Sequence, residues 1–304
     1  MSEKNLTLRE RWTRFGQIND LRGILEKFGI LIGYLILVIV ATILSPRFLS
    51  TQNMLNVIRQ ISIFGVLAIG QTFVILTGGI DLSVGSTLAL VVVLIGGILP
   101  TSGILVAILV GLLVGAIIGA INGIGITFGN LQPFVMTLGM LGVARGLAFI
   151  YTGGLPIPVV DKNFLVIGNG YFLGIPVPAI IFVTLVSVSA FILRFTVFGR
   201  YIYSIGSNSE AARLSGINVN LNKILVYSFC GLMCAIAGIL YTSQLAVAPP
   251  IAGDGYELDS IAAVVVGGAG MTGGEGGIFG TFLGATIIGS LSNILNLTGV
   301  SPFV

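Results

Sequence analysis

Sixty-three consecutive residues, 82 to 144, carry no charged side chain. A transmembrane helix needs about 20 apolar residues, so this run holds several helices that cross one after another. Further charge-free runs occupy 28–46, 60–80, 163–193, 224–253 and 276–304. The apolar residues do not alternate over short segments, as the strands of an outer-membrane barrel would. Hydrophobic residues make up 55% of the chain and charged ones 8%, against about 25% charged in soluble domains. The fold expected is all-α, a polytopic transmembrane helical bundle of about 8 to 10 spans including broken or re-entrant helices.

Charge placement sets the expected topology. Lys4, Arg9, Arg11, Arg14, Arg22 and Lys27 precede the first apolar run, and Arg194, Arg200, Arg213 and Lys223 cluster in the polar stretch 194–223. The positive-inside rule assigns both segments to the cytoplasm, which requires an even number of crossings between them. Six fit, at about 28–45, 61–80, 82–99, 104–128, 131–152 and 173–193. A seventh follows at about 224–244, then an outward loop carrying Asp254, Glu257 and Asp259, then apolar segments broken by the glycines of "GGAGMTGGEGG". Residues 1–27 form a cytoplasmic or interfacial tail, in which Leu8, Trp12, Phe15, Ile18 and Leu21 recur at helical spacing as in a helix lying on lipid. Residues 28–304 form the transmembrane domain. The net charge of +3 follows this topology and is no nucleic-acid footprint.

Gly111, Gly115, Gly119 and Gly123 repeat every four residues along one helix face, as do Gly276, Gly280 and Gly284. Such small-residue faces let helix backbones approach closely in lipid. "GGIDLSVGSTLAL" followed by "GAIIGAINGI" is echoed by "GYELDSIAAVVVGG" followed by "GATIIGSLSNI", an internal similarity of the sort seen in transporters.

The chemistry that is missing narrows the function. There is no His, hence no zinc-protease motif or Ser-His-Asp triad, and no GxxxxGK[ST] loop to cradle phosphates. Cys230 and Cys234 lie in an apolar helix without further ligands. No catalytic residue or metal site is expected. Asp81 and Arg145 are the only charged groups within the spans. Asp81 with Ser83 suits a helix break and cap or a place on a translocation path, and Arg145 suits snorkelling or a partner on a neighbouring helix.

The polar stretch "NSEAARLSGI" contains Glu210, Ala211, Ala212 and, three residues on, Gly216. It resembles the EAA-xxx-G loop of ABC importer permeases, although the I-x-L-P tail found after it in many importers is absent. The spacing suits a short helix with a small-residue face of Ala211, Ala212 and Ser215 for the groove of an ATPase, Glu210 and Arg213 at its rim, and Gly216 ending it, and Asn208 is counted with them as an ATPase-coupling residue. Together with "FVILTGGIDLSVGSTLAL" and "GYELDSIAAVVVGGAGMTGGEGG", this loop makes residues 40 to 304 resemble, in register, the permeases of ribose-type ABC importers.

That resemblance implies a non-catalytic subunit in the bacterial plasma (inner) membrane, with its N-terminus cytoplasmic. It implies a second permease chain, a sugar ATPase that holds ATP and Mg, and a periplasmic or surface-tethered binding protein that delivers a monosaccharide. It implies that this chain binds no cofactor itself. Relatives continue past the equivalent of "NLTGVSPFV" with another hydrophobic segment and a basic end, so the resemblance implies one more span than this chain carries. Transport by alternating access is expected, with Ser, Thr, Asn and aromatic groups near Asp81 lining the path. The competing reading is an ion-coupled secondary sugar carrier using Asp81.

Overall fold

A computed structural model describes residues 29–299; the amphipathic tail expected over 1–27 lies outside them. The described chain is a helical bundle. Its helices are α1 (Gly29–Leu44), α2 (Thr51–Leu76), α3 (Val84–Thr127), α4 (Pro133–Thr152), α5 (Lys162–Asn169), α6 (Val177–Phe195), α7 (Val197–Ser207), α8 (Ser209–Leu214), α9 (Val219–Leu245), α10 (Tyr256–Val266) and α11 (Ile278–Leu297). Two small two-stranded pairings, Ile157–Pro158 with Val247–Ala248 and Tyr171–Phe172 with Ile175–Pro176, lie in the connections. Six helices, α2, α3, α4, α6, α9 and α11, are long and apolar enough to cross a membrane.

The 44-residue α3 crosses twice. Gly103 has φ 78° and ψ 174°, a conformation that L side chains rarely adopt, and the helix folds back there. Val91 and Ile95 of the first arm consequently pack on Gly111 of the second. Five of the first six crossings expected from the charge-free runs are therefore present as helices long enough to span, with one boundary moved, and the first coincides with the shorter α1. The second helix begins at Thr51 rather than near 61, so Arg59 lies inside α2 and does not mark its end.

The largest interface joins α3 to α9, and the glycine face of the second arm makes part of it. A Cβ on Gly115 would strike the carbonyl of Gly231, one on Gly119 the backbone of Tyr227 and Ser228, and one on Gly123 the Cα of Ile224 at 2.6 Å. Lipid gives helices no hydrophobic reason to associate, so close backbone packing and interhelical hydrogen bonds have to do it. The polar contribution is visible between α2 and α11. Asn53 and Asn293 exchange two amide hydrogen bonds of 2.9 Å, and the hydroxyls of Thr72 and Thr281 bond at 2.7 Å.

The connection after α9 departs from the outward loop read from the sequence. Residues 249–255 turn back into the bundle. Arg145, in α4, donates at 2.8 Å to the carbonyls of both Pro250 and Ala252, and Gly253 lies against Gly85 at the start of α3. Leu88, one turn further along α3, packs on Gly238 of α9, so Gly253 sits near the middle of the bundle. Thus α10 is a half-helix that begins at mid-depth, with Glu257 and Asp259 in its first turn. Irregular backbone at such depth survives only where protein or water satisfies it, and here Arg145 does so.

From there α10 descends to the glycine turn 267–277 and α11 returns beside it, with Gly280 on Gly267 and Gly284 on Ala263. The internal sequence similarity has a geometric counterpart. The α3 hairpin and the α10–α11 hairpin are both glycine-packed, and they run in opposite directions with their starting ends meeting at Gly85 and Gly253.

Candidate functional site

The polar stretch 194–223 is two helices and the start of a third, all at one end of the bundle. Thr196 caps α7 by accepting from Gly199 N at 3.2 Å. Asn208 caps α8, its Oδ1 accepting from Glu210 N at 3.1 Å and Ala211 N at 2.9 Å. The helix stops as the sequence suggests it should. Gly216 takes φ 85°, Ile217 N donates to Ala212 O at 3.1 Å and Gly216 N to Arg213 O at 3.0 Å, which is the paired closure of a helix ending on glycine.

Burial divides this helix differently from the expected small-residue face. Ala211 and Ser215 are exposed, but Ala212 is only 5% exposed and packs within its own chain. Ala212 therefore holds α8 in place and is not part of a face offered to a partner. Leu214, which sequence reasoning passed over, is 81% exposed and is the large apolar group on this helix that is left uncovered. Glu210 and Arg213 form an exposed ion pair of 2.7 Å, an arrangement worth about 0 to 1 kcal/mol.

Behind α8, the C-terminal end of α7 is keyed into the bundle. A Cβ on Gly206 would collide with the carbonyl of Leu76 and the amide of Gly274. Gly274 N donates to Leu76 O at 3.0 Å, and the Tyr203 hydroxyl donates to Gly276 O at 2.9 Å. Burial pushes the Tyr203 phenol above its ordinary range, which keeps it a neutral donor. Through these contacts α7 and α8 are joined to the glycine turn, and so to the lower ends of α10 and α11.

Asp81 is turned into the protein. It is 2% exposed, and its Oδ1 accepts from Ser83 N at 2.8 Å and Ser83 Oγ at 2.6 Å. Asn122, across the α3 hairpin, donates to Ser83 Oγ at 2.9 Å. With its amide oriented to match, Gln71 both donates to the carbonyl of Asp81 and accepts from its N–H, at 3.3 and 3.2 Å. Asp81 and Ser83 thus organise the turn into α3.

A cavity with several polar lining groups lies toward the end of the bundle opposite α8. Asn56, Arg59 and Gln60 of α2, Tyr241 and Gln244 of α9, and Tyr256 of α10 line a space of about 300 Å³. One helical turn beyond Tyr256, Asp259 is exposed, as is Asp254 just before α10. Leu258, Val265 and Val266 complete the same uncovered stripe. Asp254 reaches Arg145 only at 3.9 Å, with its side chain 73% exposed. Carboxylates at membrane depth usually face a bundle interior or water, and Asp259 stands on this stripe. Among the described residues no group of three or more His, Cys, Asp or Glu is placed to hold a metal ion.

Comparison with known proteins gives these features a family. Residues 53–303 match the family model described as "branched-chain amino acid transport system / permease component". The chain is 52% identical to the ribose import permease protein RbsC of Bacillus subtilis, over 92% of this chain and 88% of that protein. It is 44% identical to the ribose import permease protein of Haemophilus influenzae, over 90% and 86%. It is 36% identical to the L-arabinose transport system permease protein AraH of Escherichia coli, over 95% and 87%. No solved structure matches it. A helical bundle with six long apolar helices, matched over most of its length by one family of permeases, leaves a plain conclusion: the chain is a multi-pass membrane protein and belongs to the branched-chain amino acid transport system / permease component family.

Proposed function

We propose that this chain is the membrane permease of an ATP-driven importer for a monosaccharide, with ribose the foremost candidate. The observation that carries the reading is the 52% identity to a ribose import permease over nearly the whole chain, which outweighs the amino-acid wording of the broader family description. Two such chains would pair across a water-filled passage bordered by the exposed stripe of α10. A partner ATPase holding ATP and Mg would grip α8, and a binding protein would deliver sugar at the opposite end.

The coupling route follows from contacts. A push on α8 moves α7, whose end is keyed to Leu76 and Gly274 and bonded to Gly276. The glycine turn then carries the displacement to α10 and α11. Glycine-packed helices can slide or rock because no side chains interlock between them. The sugar crosses chemically unchanged, so the chain acts by alternating access and not as an enzyme.

Vesicles containing this chain, the ATPase and the binding protein test the reading. Uptake of D-ribose is expected to require ATP and to survive collapse of the proton and sodium gradients. Uptake that follows an ion gradient without ATP would establish a secondary carrier instead. Orientation is read separately, from reporter fusions in cells. A fusion at Asn208 is expected on the cytoplasmic side and one at Asp161 outside, from the basic residues around α7 and α8. An external signal at Asn208 reverses the topology and removes the site at which an ATPase could act.

A further inference from the structure

We infer that the cavity bounded by Asn56, Arg59, Gln60, Tyr241, Gln244 and Tyr256 is a binding site for a single monosaccharide ring, occupied after the sugar enters from the end opposite α8. The inference deepens the reading above and rests on it. Its size of about 300 Å³ is at the small end of ligand clefts, which suits one sugar ring.

The lining has the chemistry a polyhydroxylated ring needs. A sugar hydroxyl donates one hydrogen bond and accepts others. The cavity supplies amides that do both, a guanidinium that donates, and phenols that do either. Two of its polar atoms, the Nε of Arg59 and the Oε1 of Gln244, are buried without any partner. One is a donor and the other an acceptor, and buried groups of this sort are nearly always satisfied. Both belong to residues that line the cavity, and neither is satisfied within the chain.

The groups are also held in place. Arg59 Nη2 donates to Asn169 O at 3.2 Å, and its guanidinium lies 4.7 Å from the ring centre of Tyr171. Ser243, beside Gln244, ties α9 to α5 by accepting from Gly168 N at 2.6 Å and donating to Phe164 O at 2.7 Å. Tyr241 and Tyr256 meet edge to face at 6.5 Å and provide apolar ring surface for the C–H faces of a sugar. By contrast, the larger cleft between α2, α6 and α11, about 370 Å³, is lined by Leu55, Ile58, Phe182, Phe282 and other apolar groups and offers a sugar almost nothing to bond.

Cysteine accessibility tests the site, because the native Cys230 and Cys234 are both buried. Gln60→Cys, or Asn56→Cys should the first insert poorly, is placed in vesicles with the end opposite α8 facing out and treated with a membrane-impermeant methanethiosulfonate. The thiol is expected to react, and free D-ribose is expected to slow the reaction several-fold. An equal concentration of sucrose, a disaccharide too large for the cavity, should not. In parallel, Gln244→Leu is expected to lower D-ribose uptake about tenfold, the scale of one or two lost hydrogen bonds, with insertion and ATPase capture unchanged. A thiol that never reacts, or reacts equally fast with and without ribose, overturns the inference while wild-type uptake persists. Failure of wild-type uptake itself overturns the underlying reading and this inference with it.

Discussion

Gly119→Leu is expected to abolish a transport-competent fold. The Cα of Gly119 rests on Tyr227 and Ser228, whose backbone C and Cα atoms would lie 2.7 and 2.9 Å from an added Cβ. These are backbone atoms, and they cannot rotate away as a side chain could. Overpacking a soluble core costs about 1 to 3 kcal/mol. Here the whole α3–α9 interface must separate, and in lipid that interface depends on close packing. The matching control is Gly139→Leu, since a Cβ at Gly139 meets nothing within 4 Å. Size-exclusion of the detergent-extracted proteins, with uptake measured in the same membranes, should show loss for Gly119→Leu and near-normal behaviour for Gly139→Leu. Wild-type uptake by Gly119→Leu would refute the packing argument.

Leu214→Asp is expected to abolish uptake while leaving the chain inserted. Leu214 is 81% exposed, so the substitution breaks no contact within the chain. Burying a leucine side chain at an interface is worth about 1.5 to 3 kcal/mol, so capture of the ATPase should weaken roughly ten- to hundredfold. Ala212→Arg should also stop uptake, by another route. Ala212 is buried, and a guanidinium there displaces α8 from its seat. The two variants separate in a protease test of the folded chain, where Ala212→Arg exposes the loop to cleavage and Leu214→Asp does not. Glu210→Ala removes only the exposed pair with Arg213 and should transport nearly as well as wild type. Normal ATPase capture by Leu214→Asp would mean that α8 engages its partner elsewhere.

Most of the membrane architecture is legible in the sequence, because the bilayer imposes it locally. A helix that crosses lipid must be apolar for about 20 residues, so charge-free runs report the spans with little need of tertiary context. The stop at Gly216 and the close-packing face from Gly111 to Gly123 are legible for the same reason. Each depends on residues within a few turns of one another. Sequence reasoning misplaced the start of α2 because it treated Arg59 as a boundary. That guanidinium is accommodated inside the helix by Asn169 and Tyr171, more than a hundred residues away. Asn56, Arg59 and Gln60, one turn apart in the first half of α2, were the available signal for the cavity.

Only the tertiary structure decided the remaining features. The return of residues 249–255 into the bundle depends on Arg145 finding the carbonyls of Pro250 and Ala252. The burial of Asp81 depends on Asn122, from the second arm of α3, and Gln71, from α2, converging on the turn at Ser83. The division of α8 into a buried Ala212 and an exposed Leu214 depends on where the neighbouring helices stand. Local chemistry determined which segments cross the membrane and how they begin and end. Which polar groups face one another at depth was settled by packing between distant segments, since a buried hydrogen bond needs a partner at a particular point in space and sequence spacing does not specify that point.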